Sequence, residues 1–301
     1  MKKTISAFFV LAALLALPTG HAVAGGMGFA PKFSIYADSA GVDIKAPEGV
    51  ACRGDIVVVA DSGNGRLLKF AYENGLLAGG AEIKPAQLGY PVHVQFDSKG
   101  DILVLDGRAR RVVRLGPDGA FKGNVDPQGL PTDVAPAVVG FKTDQADNIF
   151  MLDMTTRSVI ETDPAGKFIK KMDYPAGVQF ISDLCIDQGG NVYLVDPVGS
   201  TVYAQDKATG VFAAITKDIK TYMNFPMYIT SDDRGALYVM DQHGSGLVLL
   251  GSDGSFQGRL LSMGWSEGLV YYPSQICMDG KGTAYIADRG NNRIGVFSVI
   301  K

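Results

Sequence analysis

The sequence predicts an all-β protein: a six-bladed β-propeller of four-stranded antiparallel blades, closed by an N-terminal strand that completes the last blade. Three observations predict it. An apolar run ending in Asp occurs six times, at Ile56–Asp61, Ile102–Asp106, Ile149–Asp153, Val192–Asp196, Leu237–Asp241 and Ala284–Asp288, with Asp-to-Asp spacings of 45, 47, 43, 45 and 47. The runs are short, rich in β-branched and aromatic residues, and do not alternate apolar with polar. They therefore read as strands buried on both faces. The last repeat stops at Ile300-Lys301 after its third strand, and an unclaimed strand-like stretch, Lys32 to Tyr36, lies near the start.

Each repeat adds the same parts in the same order. A shorter strand comes first, often opened by Pro (Pro91, Pro226 and Pro273, with Pro47 in the first repeat), where a missing N–H breaks no ladder. A polar turn such as Asp97-Ser98-Lys99-Gly100 leads into the apolar run. A third strand follows, as in Arg66 to Phe70 or Arg111 to Leu115. A Gly turn comes next, such as Glu73-Asn74-Gly75 or Pro117-Asp118-Gly119, and a fourth strand closes the unit. Such a sheet has two apolar faces and cannot cover both alone. Stacking the sheets around an axis covers them all. An open stack would need polar end units, yet the sixth repeat is as apolar as the first.

Residues 1–24 read as a signal peptide. Lys2 and Lys3 precede the apolar stretch from Ile5 to Leu17, and Ala22-Val23-Ala24 offers a cleavage site. The stretch is too short to span a bilayer of about 30 Å. The reading is a periplasmic or secreted protein with one domain over residues 25–301 and no stable membrane insertion after cleavage. The formal net charge is −3, and the leader contributes two of the cations. That balance disfavours nucleic acid and anionic membrane surfaces.

Pro47-Glu48-Gly49-Val50-Ala51 followed by Gly54-Asp55-Ile56-Val57-Val58-Val59-Ala60-Asp61-Ser62-Gly63-Asn64-Gly65-Arg66 closely resembles the NHL repeat. So does Ala284-Tyr285-Ile286-Ala287-Asp288-Arg289-Gly290-Asn291-Asn292-Arg293. The resemblance implies the propeller. For function it implies a wide range, from enzymes to sensors and scaffolds. NHL-like peptidylglycine amide lyases hold zinc with histidines. Outside the leader this chain has only His93 and His243, so a three-His site is excluded. Lactonase-like propellers hold calcium with acidic and Asn side chains. Calcium therefore stays open, and no other cofactor is implied.

The strand-ending aspartates and the turn residues Asp97, Asp144, Asp187, Asp232 and Asp279 repeat in most blades, which points to structure, since a site needs one copy. Function is sought where blades differ. Aligned first strands bring His93, Gln95, Lys142, Asp183, Tyr228 and Gln275 toward the channel. They form either a small-ligand site or the lining of a hydrated channel. Arg108, Arg110, Arg111 and Arg114, with Arg66 and Lys69 of the first repeat, suggest a basic patch. Trp265, on the connector from Leu260 to Tyr272, suggests a second contact point for a partner. Cys52, Cys185 and Cys277 are expected as buried free thiols, Cys52 facing away from the other two. No nucleophile elbow, metalloprotease helix or haem motif occurs.

The functional expectation is a non-catalytic binding or scaffold propeller, a monomer or part of a hetero-complex, mediating contact with an envelope or extracellular protein. The alternatives are a channel-centred hydrolase or lyase, calcium-dependent or not, and an extracellular ligand sensor.

Overall fold

The computed structural model describes residues 28–73, 76–131, 134–217 and 219–300. The signal peptide read at residues 1–24 lies outside the described residues, as does the Asn74-Gly75 turn. The described chain forms six four-stranded antiparallel sheets. Five are consecutive meanders over residues 49–83, 91–125, 138–173, 183–214 and 226–260. In the sixth, the first three strands (Ile276–Met278, Thr283–Asp288 and Arg293–Ile300) take their fourth neighbour from the N-terminal strand Gly28–Ile35. The ring is thus closed as expected, by a strand longer than the stretch Lys32 to Tyr36. Gly28 pairs with Ile300 and Ile35 with Ile294. The register shifts between Pro31 and Phe33, where Pro31 has no N–H to give to a ladder.

The predicted apolar runs are the second strands, and in blades two to five every residue of them is buried. Burial on both faces follows from blade stacking. One core cluster joins Val50, Val57, Val59 and Leu68 of blade one to Tyr285, Ala287 and Val296 of blade six. First strands pack against one another around the axis, which makes them innermost.

Each strand-ending Asp is spent on local structure. In blade two, Asp106 accepts backbone N–H bonds from Arg108 and Ala109 of the following turn and from Gly89 of the preceding connector. Asp153 does the same with Thr155 and Ala137. In blades one and six the carboxylate also takes an Asn and an Arg: Asn64 and Arg66 on Asp61, Asn291 and Arg293 on Asp288. That is the physical content of the Asp…Asn…Arg spacing in the two best-preserved repeats. The turn aspartates accept N–H groups two and four residues ahead, as Asp232 does from Arg234 and Ala236.

Two expectations need correction. Cys52 and Cys277 are not free thiols; they form a disulfide with Cα atoms 5.9 Å apart. Cys52 lies one residue out of phase with Cys277 in the repeat. That offset turns its side chain toward blade six, while Cys277 faces blade one, so the two meet across the junction. Only Cys185 is a free, buried thiol, as expected. Arg66 is not part of a basic surface. It is 4% exposed and ion-paired to Asp38, Asp61 and Glu82.

Candidate functional site

Two faces follow from the meander. One carries the turns between first and second strands. The other, the connector face, carries the links between blades and the turns between second and third strands.

At the hub, the six candidate channel residues are mostly cross-ties. Asp183 Oδ2 accepts the Ile229 N–H of the next blade at 3.0 Å. Gln95 Oε1 accepts the Thr143 N–H at 3.1 Å. Tyr228 donates its hydroxyl to the Ile276 carbonyl at 3.2 Å. Gln275 donates to the Val94 carbonyl at 3.0 Å, passing beside Gly49, where a Cβ would stand 3.1 Å from the Gln275 Oε1. Lys142 and Asp183 form a buried ion pair at 3.0 Å, and the ammonium also sits 3.6 Å from the centre of the Tyr228 ring. His93 meets the same ring edge-on, with centroids 6.1 Å apart.

Burial alone would lower the Lys142 pKa, but the Asp183 charge and Tyr228 outweigh it and hold it above its usual value. His93 goes the other way: desolvation lowers its pKa, reinforced by the Lys142 charge and only partly opposed by Asp183. Two buried atoms in this cluster, His93 Nδ1 and Asp183 Oδ1, have no protein partner.

A pH dependence follows for His93. Its folded pKa lies below the unfolded value of 6.5, so the unfolded chain binds the proton more readily. Stability is full above pH 6.5 and falls as pH drops from there through the folded pKa. Thermal melts from pH 8 down to pH 5 should show this acid limb in the wild type and flatten it in His93→Asn. Parallel curves for the two proteins would remove His93 as its source.

Outward from the hub, on the turn face, lies a cavity of about 430 Å³. Gln95, Tyr228 and Gln275 contribute to its lining, as do Thr143, Thr230 and the disulfide. Groups of three or more His, Cys, Asp or Glu placed to hold a metal do not occur among the described residues.

The connector face carries an aromatic row that spans blades five and six. Trp265 lies 5.6 Å from Tyr271, Tyr271 4.7 Å from Tyr272, Tyr272 5.5 Å from His243, and His243 4.6 Å from Phe225, all between ring centroids. Phe225 and Tyr272 occupy the same repeat position, just before Pro226 and Pro273, with φ of 67° and 48°. Such a conformation costs a side-chain-bearing residue about 1–3 kcal/mol. Trp265 is 73% exposed on a well-anchored loop. Arg293, itself buried against Asp288, donates to the carbonyls of Trp265, Ser266 and Leu269. Glu267 accepts from Ser34 and Tyr36 of the N-terminal segment. The sequence singled out Trp265 and the connector from Leu260 to Tyr272. It missed Phe225 and His243, which join the row only through the fold; the Phe225-Pro226 and Tyr272-Pro273 pairs were the available signal.

Arg108, Arg110 and Arg111 also lie on the connector face, in blade two. Arg108 and Arg110 are exposed and Arg111 is half-buried. Arg114 is partly buried, 3.8 Å from Asp97. The structure does not bring this group together with Trp265; the arginines belong to blade two and the tryptophan to the connector between blades five and six.

Residues 270–297 match the NHL repeat family. No curated protein sequence matches the chain. Among solved structures, a streptogramin B lyase is 13% identical, with 91% of this chain and 98% of that one covered and a TM-score of 0.64. A gluconolactonase from Xanthomonas campestris is 14% identical, with coverage of 90% and 97% and a TM-score of 0.64. A chain from a nidogen/laminin complex is 16% identical, with coverage of 78% and 92% and a TM-score of 0.58. At such identities the likeness shows the fold alone.

Proposed function

We propose that this NHL-repeat β-propeller is a non-catalytic binding module of the bacterial envelope or extracellular space, and that its connector face docks a protein partner at Trp265. One observation carries the reading: a largely exposed tryptophan sits on a loop pinned from below by a buried arginine. Rigid aromatic anchors of this kind dominate protein interfaces, because little freedom remains to be lost on binding. The adjoining rings extend the anchor into a platform. The disulfide between blades one and six supports an oxidising compartment and so export. A similar propeller chain in a complex of nidogen with laminin is a precedent for partner binding on this fold.

The test is affinity capture from an envelope extract. Trp265→Ala should recover the partner at least about tenfold less than wild type, with an unchanged melting temperature, because the residue is largely exposed. Equal recovery by both proteins would remove Trp265 as the docking point.

A second reading, a channel-centred hydrolase or lyase, draws on the unpartnered His93 Nδ1 and Asp183 Oδ1 and on the lyase and gluconolactonase among the similar structures. Stoichiometric calcium in purified protein would favour it over the scaffold.

A further inference from the structure

Blade two breaks the repeat's ion-pair rule in one place. In blades one and six the strand-ending Asp faces an Arg directly across the ladder: Asp61 opposite Arg66 and Asp288 opposite Arg293. Both arginines are buried and donate Nε to that Asp, at 2.7 and 2.8 Å. Blade two has the same pair in the same register, Asp106 opposite Arg111. Here the bond is not made. The Asp106 oxygens are taken by the backbone N–H groups of Gly89, Arg108 and Ala109, and Arg111 Nε is buried with no acceptor.

The released guanidinium lines a cavity of about 530 Å³ between blade two and the connector to blade three. Its volume lies inside the range of roughly 300–1,000 Å³ typical of small-ligand pockets. Arg110 stands beside Arg111, and the walls include the aliphatic residues Val125, Leu130 and Pro136. Among the described residues, Asp126 is the one carboxylate in the lining. Arg110 and Arg111 thus stand beside an aliphatic wall. A buried N–H on a charged group that lacks an acceptor is costly, and the planar fork of Arg suits a two-oxygen anion.

We infer that this pocket binds an aliphatic carboxylate, its head on Arg111 and Arg110 and its chain along Val125, Leu130 and Pro136. The two oxygens of a carboxylate match the planar fork of Arg111, and an aliphatic chain matches the walls. The inference stands apart from the docking of a protein at Trp265, which lies on other blades.

Titration calorimetry on the full protein, with octanoate as the probe, tests it. Octanoate should bind one to one. Acetate, which lacks the chain, and octanol, which lacks the charge, should each bind at least about tenfold more weakly, a tenfold change being the usual worth of one such interaction. Octyl phosphate should also bind more weakly than octanoate, because its second charge meets Asp126. Arg111→Ala should weaken octanoate binding at least about tenfold with no change in melting temperature, and Arg111→Gln, which keeps the packing of the stem, should do the same. Unchanged octanoate affinity in both variants would overturn the site. So would octanol binding as tightly as octanoate, which would mark a merely apolar groove. Tighter binding of octyl phosphate would overturn the carboxylate assignment. A sharp fall in melting temperature for both variants would show Arg111 to be structural, like Arg66.

Discussion

Removing residues 28–35 should destabilise the propeller by about 5 kcal/mol or more, most of the stability of an ordinary domain. The strand buries Ile35 and packs Phe29 and Phe33 against the blade-six cores, and each such side chain is worth about 1.5–3 kcal/mol when buried. Its loss also leaves Arg293–Ile300 as an unpaired edge of eight residues, open to pairing with another molecule. Calorimetry of a chain beginning at Tyr36 should show a melting temperature lowered by about 10 °C or more, at about 2–4 °C per kcal/mol for a domain of this size. Size-exclusion chromatography should show self-association. A monomer that melts with the full protein would refute closure by this strand.

Lys142→Met should cost about 3–5 kcal/mol, the usual consequence of leaving one partner of a buried ion pair. Asp183 is fully buried and one of its oxygens already lacks a partner, so its charge is left uncompensated in the hub. Replacing both partners, as Lys142→Met with Asp183→Asn, should recover most of the loss, because Asn can still accept the Ile229 N–H while carrying no charge. In the wild type the pair also sets an alkaline limb. The Lys142 pKa is raised above 10.5 in the folded state, so its contribution is complete below pH 10.5 and is lost as pH rises through the folded value. Denaturant melts of the single and double variants decide the matter. A single variant as stable as wild type would mean that the hub ion pair contributes nothing.

The fold was legible because each blade repeats the same solution to the same burial problem. Six Asp-terminated strands at near-constant spacing determine the blade count, and the shortfall after Phe297 marks where a strand is missing. Phase within a repeat was legible too; it placed His93, Asp183, Tyr228 and Gln275 at the hub. What the alignment did not carry was azimuth, the direction in which a first-strand residue points around the ring. Cys52 and Cys277 are out of phase, and in a single flat sheet that would keep them apart. In a ring, opposite faces of neighbouring first strands look at each other. Arg66 and Arg111 pose the complementary case: they share one repeat position, yet Arg66 meets Asp38, Asp61 and Glu82, whereas the Asp facing Arg111 is already held by backbone N–H groups, which no residue-type pattern reports.

Both fastenings of the ring fall at one junction, the terminal strand at its outer side and the disulfide at its hub. Gly28 and Ile300 are directly opposite each other, so tension applied to the two ends would part the terminal ladder rung by rung, like a zip, rather than shear it as a whole. Peeling would then halt with Cys52 and Cys277 still joined, leaving a slackened but unbroken hoop. The covalent link thus serves as a mechanical stop, and a reductant decides whether a loaded ring recoils or uncoils into an arc.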